Sequence, residues 1–407
     1  MKSKPKALIL CDYWSPVVSA NSACVREILN PLLAYFDVVI LSADCPPEND
    51  WPDGVRFVSV GDIGIKRALS AAKGSVLSTL MVKVAYKPIA ALNISRFPIR
   101  SREWGRRFER AAKHIIRECD VKLVVCVNYP AETLLAAEKL SPKFPGVRFV
   151  GWMLDATAVG MYRSGGIRKQ LSSRSASALE RRVLKKMDGM LFLSAAKGLA
   201  QRVHGEGNRK ISFADPPFIS SDKARFVWSA TGRSVRILYA GTLARPDRDP
   251  CAFVKTLSPL CSDGFVELLF AGESSGLLDG LEESVKKLGM LSPEACNQVM
   301  RDADILLNIG NKDPFLVPSK LFKYMSMGKP IIHIKRGEED SCLPYLKTYP
   351  LALVVDDSKP ERLIRDVEEF ITRLSSFHGF DIDLASILPK AIPEYTVSEL
   401  LRLSSLH

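Results

Sequence analysis

The chain has 407 residues, of which 47% are hydrophobic and 25% charged, and its formal net charge is +12. This balance is typical of a folded globular protein and excludes disordered and collagen-like chains, while the length favours two domains over one core. No uncharged apolar run approaches the roughly 18 to 20 residues of a membrane-spanning helix, and the short apolar run after the basic first residues indicates a buried strand rather than a secretory signal.

The first half alternates apolar runs with helical patterns. The apolar runs are "ALILCDYW", "DVVILSAD", "VKLVVCVN", "VRFVGWMLD" and "GMLFLSA", and the clearest helical patterns are "CVREILNPLLAYF" and "SASALERRVLKKM". A small-residue loop, "SPVVSANSA", is expected between the first strand and the first helix. Runs that are apolar on both faces and alternate with helices predict a parallel α/β sheet.

The pattern restarts after a loose segment that contains glycine and proline. Five further apolar runs follow, "VRILYAG", "FVELLFAG", "ADILLNIG", "PIIHIK" and "LALVV", and "VSELLRLSSL" predicts a terminal helix. We therefore predict an α/β protein with two Rossmann-like, doubly wound domains facing a central cleft. The predicted boundaries are residues 1–214, a linker at 215–234, a second domain at 235–390 and the terminal helix at 391–407.

Two loops of the second domain have features of a phosphate site. In "LYAGTLARPDRDP", Gly241 lets a phosphate approach the backbone, and Arg245 and Arg248 can supply paired donors to its oxygens. In "DPFLVPSKLFKYM", Ser319 is expected to cap a helix whose N–H groups and dipole attract an anion, with Lys320 leaning over it. Either loop alone could be an ordinary solvated loop, but together they predict a diphosphate held between them.

The same two stretches carry a family resemblance. "YAGTLARPDRDP" followed by "VPSKLFKYMSMGKPII" resembles the C-terminal half of the retaining GT-B glycosyltransferases of family four, and more narrowly their bacterial polysaccharide-assembly members. "ILCDYWSPVVSANSACVREILNPL" and "ALERRVLKKMDGMLFLSAAKGL" are similar to the first domain of that family. The resemblance covers most of the chain in the order of its elements, although only the two second-domain stretches are specific motifs.

The resemblance implies a fold and an activity. It implies the GT-B fold and a hexosyl-type transfer from a nucleotide-sugar donor, with retention of configuration, to a glycan or a polyprenyl-linked acceptor. It also implies that no metal ion or other cofactor is needed. The residues implied to bind the donor diphosphate are Gly241, Thr242, Arg248, Ser319, Lys320 and Leu321.

On the acceptor side, the resemblance points to the first domain. Asn21 and Ser22 occupy the loop in which relatives carry glycines close to the reacting centre. Asp155 follows an apolar strand in "GWMLDATAVG" and matches an acidic position of the narrower group. A carboxylate there would orient or deprotonate an acceptor hydroxyl as the catalytic residue. The alternative is that Asp155 caps a helix or forms an ion pair.

The chain departs from the family pattern at Lys323. The family usually has a glutamate there, which accepts hydrogen bonds from the ribose hydroxyls, whereas lysine can only donate. Asp313 could supply a carboxylate from the preceding loop, or Glu273 in "FAGESSG" could face the base or the ribose. The departure keeps open a second hypothesis, that the protein is a catalytically inactive GT-B-like protein that binds nucleotide, glycan or a partner enzyme.

The net positive charge comes entirely from the first half. Residues 1–200 contain 31 lysines and arginines against 17 acidic residues, and residues 63–113 alone contain 12 against two. Because these cations are mixed with apolar residues and Trp104, we predict that residues 63–113 contact an anionic membrane surface. The alternative is a solvated basic face. Nucleic acid is not expected, because aromatic residues are sparse and no helix-turn-helix, RRM or zinc motif occurs.

Cysteine and histidine patterns predict no metal site. The nine cysteines form no CxxC pair, and with an odd count and no secretory signal they are expected to be reduced, small core residues. The five histidines lack metal-ligand spacing, and His333, after an apolar run, is expected in the core. A dehydrogenase is disfavoured because no GxGxxG opens a βα unit. The predicted location is cytoplasmic and peripheral, on the inner face of the cell membrane.

Overall fold

The computed structural model describes residues 4–14, 19–64, 81, 84, 98–155, 167–243, 248–377 and 379–406, with the backbone alone at 167–172. These residues form two compact units. The first comprises residues 1–217 together with 393–407, and the second comprises residues 218–392. The segment predicted as a linker, 215–234, is divided between the two units.

The first unit is built on a parallel sheet of seven strands in the order β3-β2-β1-β4-β5-β6-β7. Its strands are β1 (Lys6–Leu10), β2 (Asp37–Ser42), β3 (Val55–Ser59), β4 (Val121–Asn128), β5 (Arg148–Met153), β6 (Gly189–Leu193) and β7 (Ile211–Ala214). Its helices are α1 (Ala20–Leu33), α2 (Arg102–Glu118), α3 (Ala131–Leu140), α4 (Ile167–Lys186) and α5 (Lys197–His204).

The second unit repeats this plan with a parallel sheet of six strands, ordered β11-β10-β9-β12-β13-β14, and a separate antiparallel pair, β8 with β15. The strands are β8 (Ala224–Phe226), β9 (Val235–Ala240), β10 (Val266–Ala271), β11 (Val285–Gly289), β12 (Ile305–Ile309), β13 (Ile331–Ile334), β14 (Ala352–Val355) and β15 (Phe380–Ile382). The helices are α6 (Cys251–Ser262), α7 (Pro293–Asp302), α8 (Ser319–Ser326), α9 (Leu343–Thr348), α10 (Pro360–Ser375) and α11 (Leu384–Ile387).

The predicted apolar runs all form strands, and the strands that were not predicted lie at sheet edges. β1, β4, β6 and β12 are buried along nearly their whole length, as parallel strands covered on both faces should be. β3, β7 and β11 are edge strands, and the fourth edge strand, β14, was predicted. The sequence of β11, "VKKLG", buries one residue of five, because an edge strand needs little apolar surface.

Helix α1 begins earlier than the sequence pattern predicts. Ser19 is its N-cap, and the Ser19 hydroxyl accepts from the Ser22 N–H while the Ser22 hydroxyl accepts from the Ser19 N–H. This reciprocal capping box satisfies two N–H groups and extends the helix back to Ala20. Asn21 and Ser22 therefore lie in the first helical turn, and the expectation that they occupy a loop is wrong.

Helix α2 separates an apolar face from a basic face. Trp104 is 1% exposed, its Nε1 donates to the Gly61 carbonyl at 2.9 Å, and its ring packs on Phe108. Trp104 is therefore a core residue and does not face a membrane. Four exposed arginines form a stripe on the opposite side: Arg102, Arg106, Arg110 and Arg117. We call these four residues the α2 arginine stripe.

Most of the predicted membrane-contacting segment, namely residues 65–80, 82–83 and 85–97, lies outside the described residues. Among the helices that the structure describes, none has both the length and the apolar composition needed to cross a bilayer.

The last helix, α12 (Pro393–Ser404), belongs to the first unit. It packs against β5, β6, β7 and α1. The Tyr395 hydroxyl donates to the Phe213 carbonyl at 3.4 Å, and the Ser212 hydroxyl donates to the Glu399 carboxylate. The packing is tight at Gly189, the first residue of β6, where a Cβ would lie 2.7 Å from Leu403 Cδ2 and 2.9 Å from the Lys210 carbonyl oxygen.

We expect Gly189→Ala to lower the free energy of unfolding by about 1–3 kcal/mol, because the added methyl group overpacks the contact with α12. Chemical denaturation monitored by circular dichroism would measure the change. Gly146→Ala is the matched control, since a Cβ there meets no atom within 4 Å. Equal stability of the two variants would contradict this account of the α12 packing.

Candidate functional site

The second unit places its candidate site where the strand order reverses. β9 lies between β10 and β12, so the connections that leave the carboxyl ends of β9 and β12 run in opposite directions along the sheet. Ligands of open α/β sheets bind at such switch points. β9 is followed by Gly241, and β12 by the segment 310–318, which leads into α8.

Gly241 and Lys320 meet at this point. Gly241 has φ = 148°, and a Cβ there would overlap the Lys320 Nζ, so the close approach requires glycine. The Lys320 Nζ lies 4.8 Å from the centroid of the Tyr239 ring, which is within the range of a cation–π interaction. The Tyr239 hydroxyl donates to the Thr242 carbonyl at 3.1 Å. Tyr239 thus supports both the turn and the amine, a role that the sequence analysis missed.

The N-terminus of α8 has no side-chain cap. Pro318 occupies the N-cap position and Ser319 is the first helical residue, so the expectation that Ser319 caps the helix is wrong. The Leu321 N–H bonds to the Pro318 carbonyl at 3.0 Å. The first N–H groups of an α-helix have no intrahelical acceptor, and among the residues that the structure describes no side chain supplies one to α8. This helix start can therefore donate to an anion.

Burial and neighbouring cations act on the Lys320 amine. The pKa of Lys320 is lowered to about 7. Burial is the main cause, the positive charges of Arg248 and, more weakly, Lys323 contribute to the lowering, and Cys296 opposes it. The charge of Arg248 also acts on the Tyr239 hydroxyl. Arg248 is therefore near enough for its charge to act on both the Lys320 amine and the Tyr239 hydroxyl. An anion bound there would relieve the repulsion among these cations.

Two other predicted donor residues lie on the loops around Gly241. Thr242 follows it directly, and Glu273 follows β10. Both residues are exposed, and the Glu273 carbonyl accepts from the Leu243 N–H at 2.8 Å, which joins the two loops. Arg245 lies outside the described residues.

The remaining predicted donor residues are more enclosed. Leu321 is fully buried, so its side chain packs in the core of the second unit. Asp313 is 4% exposed, and its Oδ1 accepts from the Phe315 N–H at 2.9 Å. The Asp313 carboxylate thus stabilises the backbone of the loop between β12 and α8 through this hydrogen bond. Lys323 is partly exposed, one turn beyond Lys320.

A buried polar network supports this loop, and the sequence analysis did not predict it. Asp340 accepts from the Arg336 and Cys342 N–H groups at 3.0 Å and contacts His333 Nε2 at 3.1 Å, while Asn308 Nδ2 lies 2.8 Å from His333 Nδ1. Burial acts to raise the pKa of Asp340, but the pKa is lowered overall, mainly because of the hydrogen bond to His333.

Ligand atoms of His333, Asp340 and Cys342 all lie within 4.8 Å of one another, a distance compatible with holding a metal ion. The hydrogen bonds of the network already use the Asp340 carboxylate and His333. A Cβ on Gly310 would overlap that carboxylate, and the Ser341 hydroxyl donates to the Leu316 carbonyl at 2.7 Å. The network therefore holds the segment 310–318 that precedes α8.

In the first unit, Asp155 lies beyond the carboxyl end of β5. Its N–H donates to the Asn128 carbonyl at 3.2 Å, and its carbonyl accepts from Asn128 Nδ2 at 2.5 Å. Asn21 is 8% exposed, and its Nδ2 donates to the Tyr129 carbonyl at 2.6 Å. Asn21 therefore contacts Tyr129, and the negative charge of Asp155 acts on the Tyr129 hydroxyl. Ser22 is fully buried in the capping box.

Comparison with known proteins identifies the fold. No protein-family model and no curated protein sequence matches the chain. Among solved structures, it is similar to sucrose-phosphate synthase from Thermosynechococcus elongatus, with 11% identity and a TM-score of 0.61 over 99% of this chain and 95% of that one. Anabaena HepE in complex with UDP and glucose gives 12% identity and a TM-score of 0.61 over 98% and 99%.

WaaG, a glycosyltransferase involved in lipopolysaccharide biosynthesis, gives 14% identity and a TM-score of 0.55 over 98% of this chain and 97% of that one. At these identities the similarity establishes the fold. Together with the two parallel sheets, it confirms the predicted GT-B architecture with two Rossmann-like domains.

We expect Lys320→Met to be more stable than the wild type below pH 7, because it removes a buried cation. The ordinary pKa of lysine, 10.5, applies to the unfolded chain, and the folded value is about 7. Between these values the unfolded chain binds the extra proton, so the stability of the wild type rises with pH. The advantage of the variant should therefore shrink by about 1.4 kcal/mol per pH unit above pH 7.

Urea denaturation of both proteins between pH 6 and 9 would measure this difference. Lys312→Met, at an exposed position in the segment before α8, is the control and should show a constant difference from the wild type. Parallel stability curves for Lys320→Met and the wild type would contradict the lowered pKa of Lys320.

Proposed function

We propose that the protein is a retaining glycosyltransferase of family four that moves a hexosyl group from a nucleotide-sugar to a glycan or polyprenyl-linked acceptor. The second unit binds the donor and the first unit binds the acceptor. The observation that carries this proposal is the convergence of the Lys320 amine, the charge of Arg248 and the uncapped start of α8 at the Gly241 turn.

The donor diphosphate is the ligand that these groups fit best. Two cations and a helix N-terminus balance two phosphate charges, and they act where charge grows as the bond from the sugar to the diphosphate breaks. Because these groups are in place before the reaction, they stabilise the leaving diphosphate without a metal ion. Gly241 leaves room for the phosphates beside the backbone, and Ser319 offers its N–H and hydroxyl.

The nucleotide is proposed to be a uridine diphosphate, since the similar structure of Anabaena HepE contains UDP and glucose. Lys323 cannot accept a hydrogen bond from a ribose hydroxyl. The exposed Glu273 carboxylate is the better candidate for that contact than Asp313, because Asp313 already accepts from a backbone N–H and is buried.

On the acceptor, Asp155 is proposed to take the proton of the attacking hydroxyl. The oxygen of that hydroxyl forms the new bond to the anomeric carbon on the same face from which the diphosphate departs, so that the configuration is retained. The bond from that carbon to the diphosphate breaks, and the nucleoside diphosphate leaves with the negative charge. The position of Asp155 beyond the carboxyl end of β5 supports this role, because ligands of parallel α/β sheets bind at those ends.

Calorimetric titration with UDP tests the donor site. We expect the wild type to bind UDP, and Lys320→Met and Arg248→Gln each to weaken binding about 10- to 100-fold, since a charge-assisted hydrogen bond contributes about 1.5–3 kcal/mol. Lys312→Met is the control and should bind as the wild type does. The donor site would be refuted if the wild type did not bind UDP, or if Lys320→Met and Arg248→Gln both bound UDP as tightly as the wild type does.

The inactive binding protein is the second candidate, and it is favoured by lysine at position 323. Release of glucose from UDP-glucose, or its transfer to a polyprenyl-linked glycan, separates the two candidates. An enzyme should lose this turnover in Asp155→Asn while keeping its affinity for UDP, because the substitution removes only the proton acceptor. UDP binding without any turnover by the wild type would favour the inactive protein.

The proposed location is the cytoplasmic face of the bacterial cell membrane, where the protein would serve envelope polysaccharide assembly. The α2 arginine stripe supports contact with an anionic surface, because each such cation near a charged bilayer contributes about 1 kcal/mol.

We expect the protein to float with vesicles that contain anionic lipid at low salt, and we expect Arg106→Gln with Arg110→Gln to reduce that fraction several-fold. Arg362→Gln with Arg365→Gln removes the same charge from exposed positions of α10 and serves as the control. Equal flotation with neutral vesicles would exclude an electrostatic membrane contact.

A further inference from the structure

A buried carboxylate holds the start of α2 in the first unit. Glu132 lies in the first turn of α3 and is 0% exposed. Its Oε1 accepts from the Arg100 and Ser101 N–H groups, both at 2.6 Å. Its Oε2 is buried and has no hydrogen-bond partner within the described part of the chain. Burial raises the pKa of Glu132, and these backbone hydrogen bonds oppose that rise. The carboxyl group therefore fixes the backbone at residues 100 and 101.

The fixed backbone carries an exposed guanidinium. Arg100 is exposed, and its Cζ lies 5.5 Å from the centroid of the Tyr129 ring. Tyr129 immediately precedes Pro130, the N-cap of α3, so the carboxylate and the aromatic ring belong to the same turn. The stacking on the ring and the fixed backbone both restrict the conformations of the Arg100 side chain. An arginine that only faced solvent would not require this restriction.

Arg100 and Asp155 lie near the same hydroxyl. The negative charge of Asp155 raises the pKa of Tyr129, after the larger effect of burial, and the positive charge of Arg100 opposes both. The Asp155 backbone is hydrogen-bonded to Asn128, the residue before Tyr129, and the Arg100 guanidinium lies over the Tyr129 ring. A cation that can bind an anion with two parallel N–H groups and the carboxylate proposed to receive the acceptor proton therefore border the same turn.

We propose that Arg100 binds an anionic group of the acceptor, a phosphate or a carboxylate near the hydroxyl that is glycosylated, and that Glu132 is the positioning residue for Arg100. The inference rests on the proposed function, because it assumes that the acceptor binds to the first unit. It adds the chemical class of that acceptor. The anion can come from a phosphate-linked sugar or from a uronic acid.

Calorimetric titration of the full chain in saturating UDP tests this site, with the donor site thus occupied. The probes are α-glucose 1-phosphate, methyl glucuronoside and the neutral methyl α-glucoside. We expect one or both anionic probes to bind more tightly than the neutral probe, and the tighter one identifies the source of the anion. Arg100→Gln should weaken that probe about 10- to 100-fold and leave UDP affinity unchanged.

Arg102→Gln is the matched control, because it removes an exposed arginine two residues away and should not change probe binding. Equal affinity for the charged and neutral probes, or wild-type affinity of Arg100→Gln, would overturn the inference while the donor site stands. If the wild type does not bind UDP, the donor proposal fails instead, and the same titrations without UDP still test Arg100.

A double-mutant cycle tests the role of Glu132. Glu132→Ala should weaken the anionic probe to the same extent as Arg100→Gln, and the double variant should be no weaker than either single variant, because both changes remove one interaction. Glu132→Gln keeps one carbonyl oxygen for the two N–H groups and should retain most of the affinity, which provides a folded variant if Glu132→Ala does not fold. Additive losses would show that Glu132 does not act through Arg100.

Discussion

The close contact between Gly241 and the Lys320 amine is the interaction on which the second unit's site depends. It joins the carboxyl end of β9 to the start of α8, two elements that are about 80 residues apart in sequence. A buried amine without a carboxylate partner is unfavourable in itself. The contact is retained because Tyr239 provides a ring for the amine, and because the glycine turn leaves space for it. The site therefore stores an unfavourable charge that an anion would neutralise.

The two units use their buried charges in different ways. The second unit places cations around an open turn, whereas the first unit uses the buried Glu132 carboxylate to fix the chain at Arg100. Both arrangements lie beside the carboxyl ends of parallel strands. Each presents positive charge where the strand order of its sheet leaves room for a ligand. In the proposals above, the cations of the second unit would contact an anion directly, whereas the first unit would use a guanidinium whose backbone is held by a neighbouring turn.

Sequence periodicity was sufficient to predict the nine inner strands of the two sheets, because such strands must be apolar on both faces, and also the edge strand β14. It could not predict β3, β7 or β11, since edge strands such as "VKKLG" carry the composition of a loop. The start of α1 was misplaced because the reciprocal hydrogen bonds of Ser19 and Ser22 decide it, and these outweigh the small-residue composition of the segment. The meeting of Gly241 with Lys320 was predictable from the motifs, whereas the clamp by Glu132 depends on tertiary contacts 31 and 32 residues apart.

The return of α12 to the first unit has a consequence for folding during synthesis. The sheet of the first unit is complete when β7 leaves the ribosome, but the helix that covers β5, β6 and β7 is translated about 180 residues later. At the usual elongation rate of about 5–20 residues per second, the apolar surface beneath α12 remains uncovered for roughly 10 to 40 seconds. During that interval the nascent chain offers a binding surface to chaperones, and the second unit has time to fold before the first is closed.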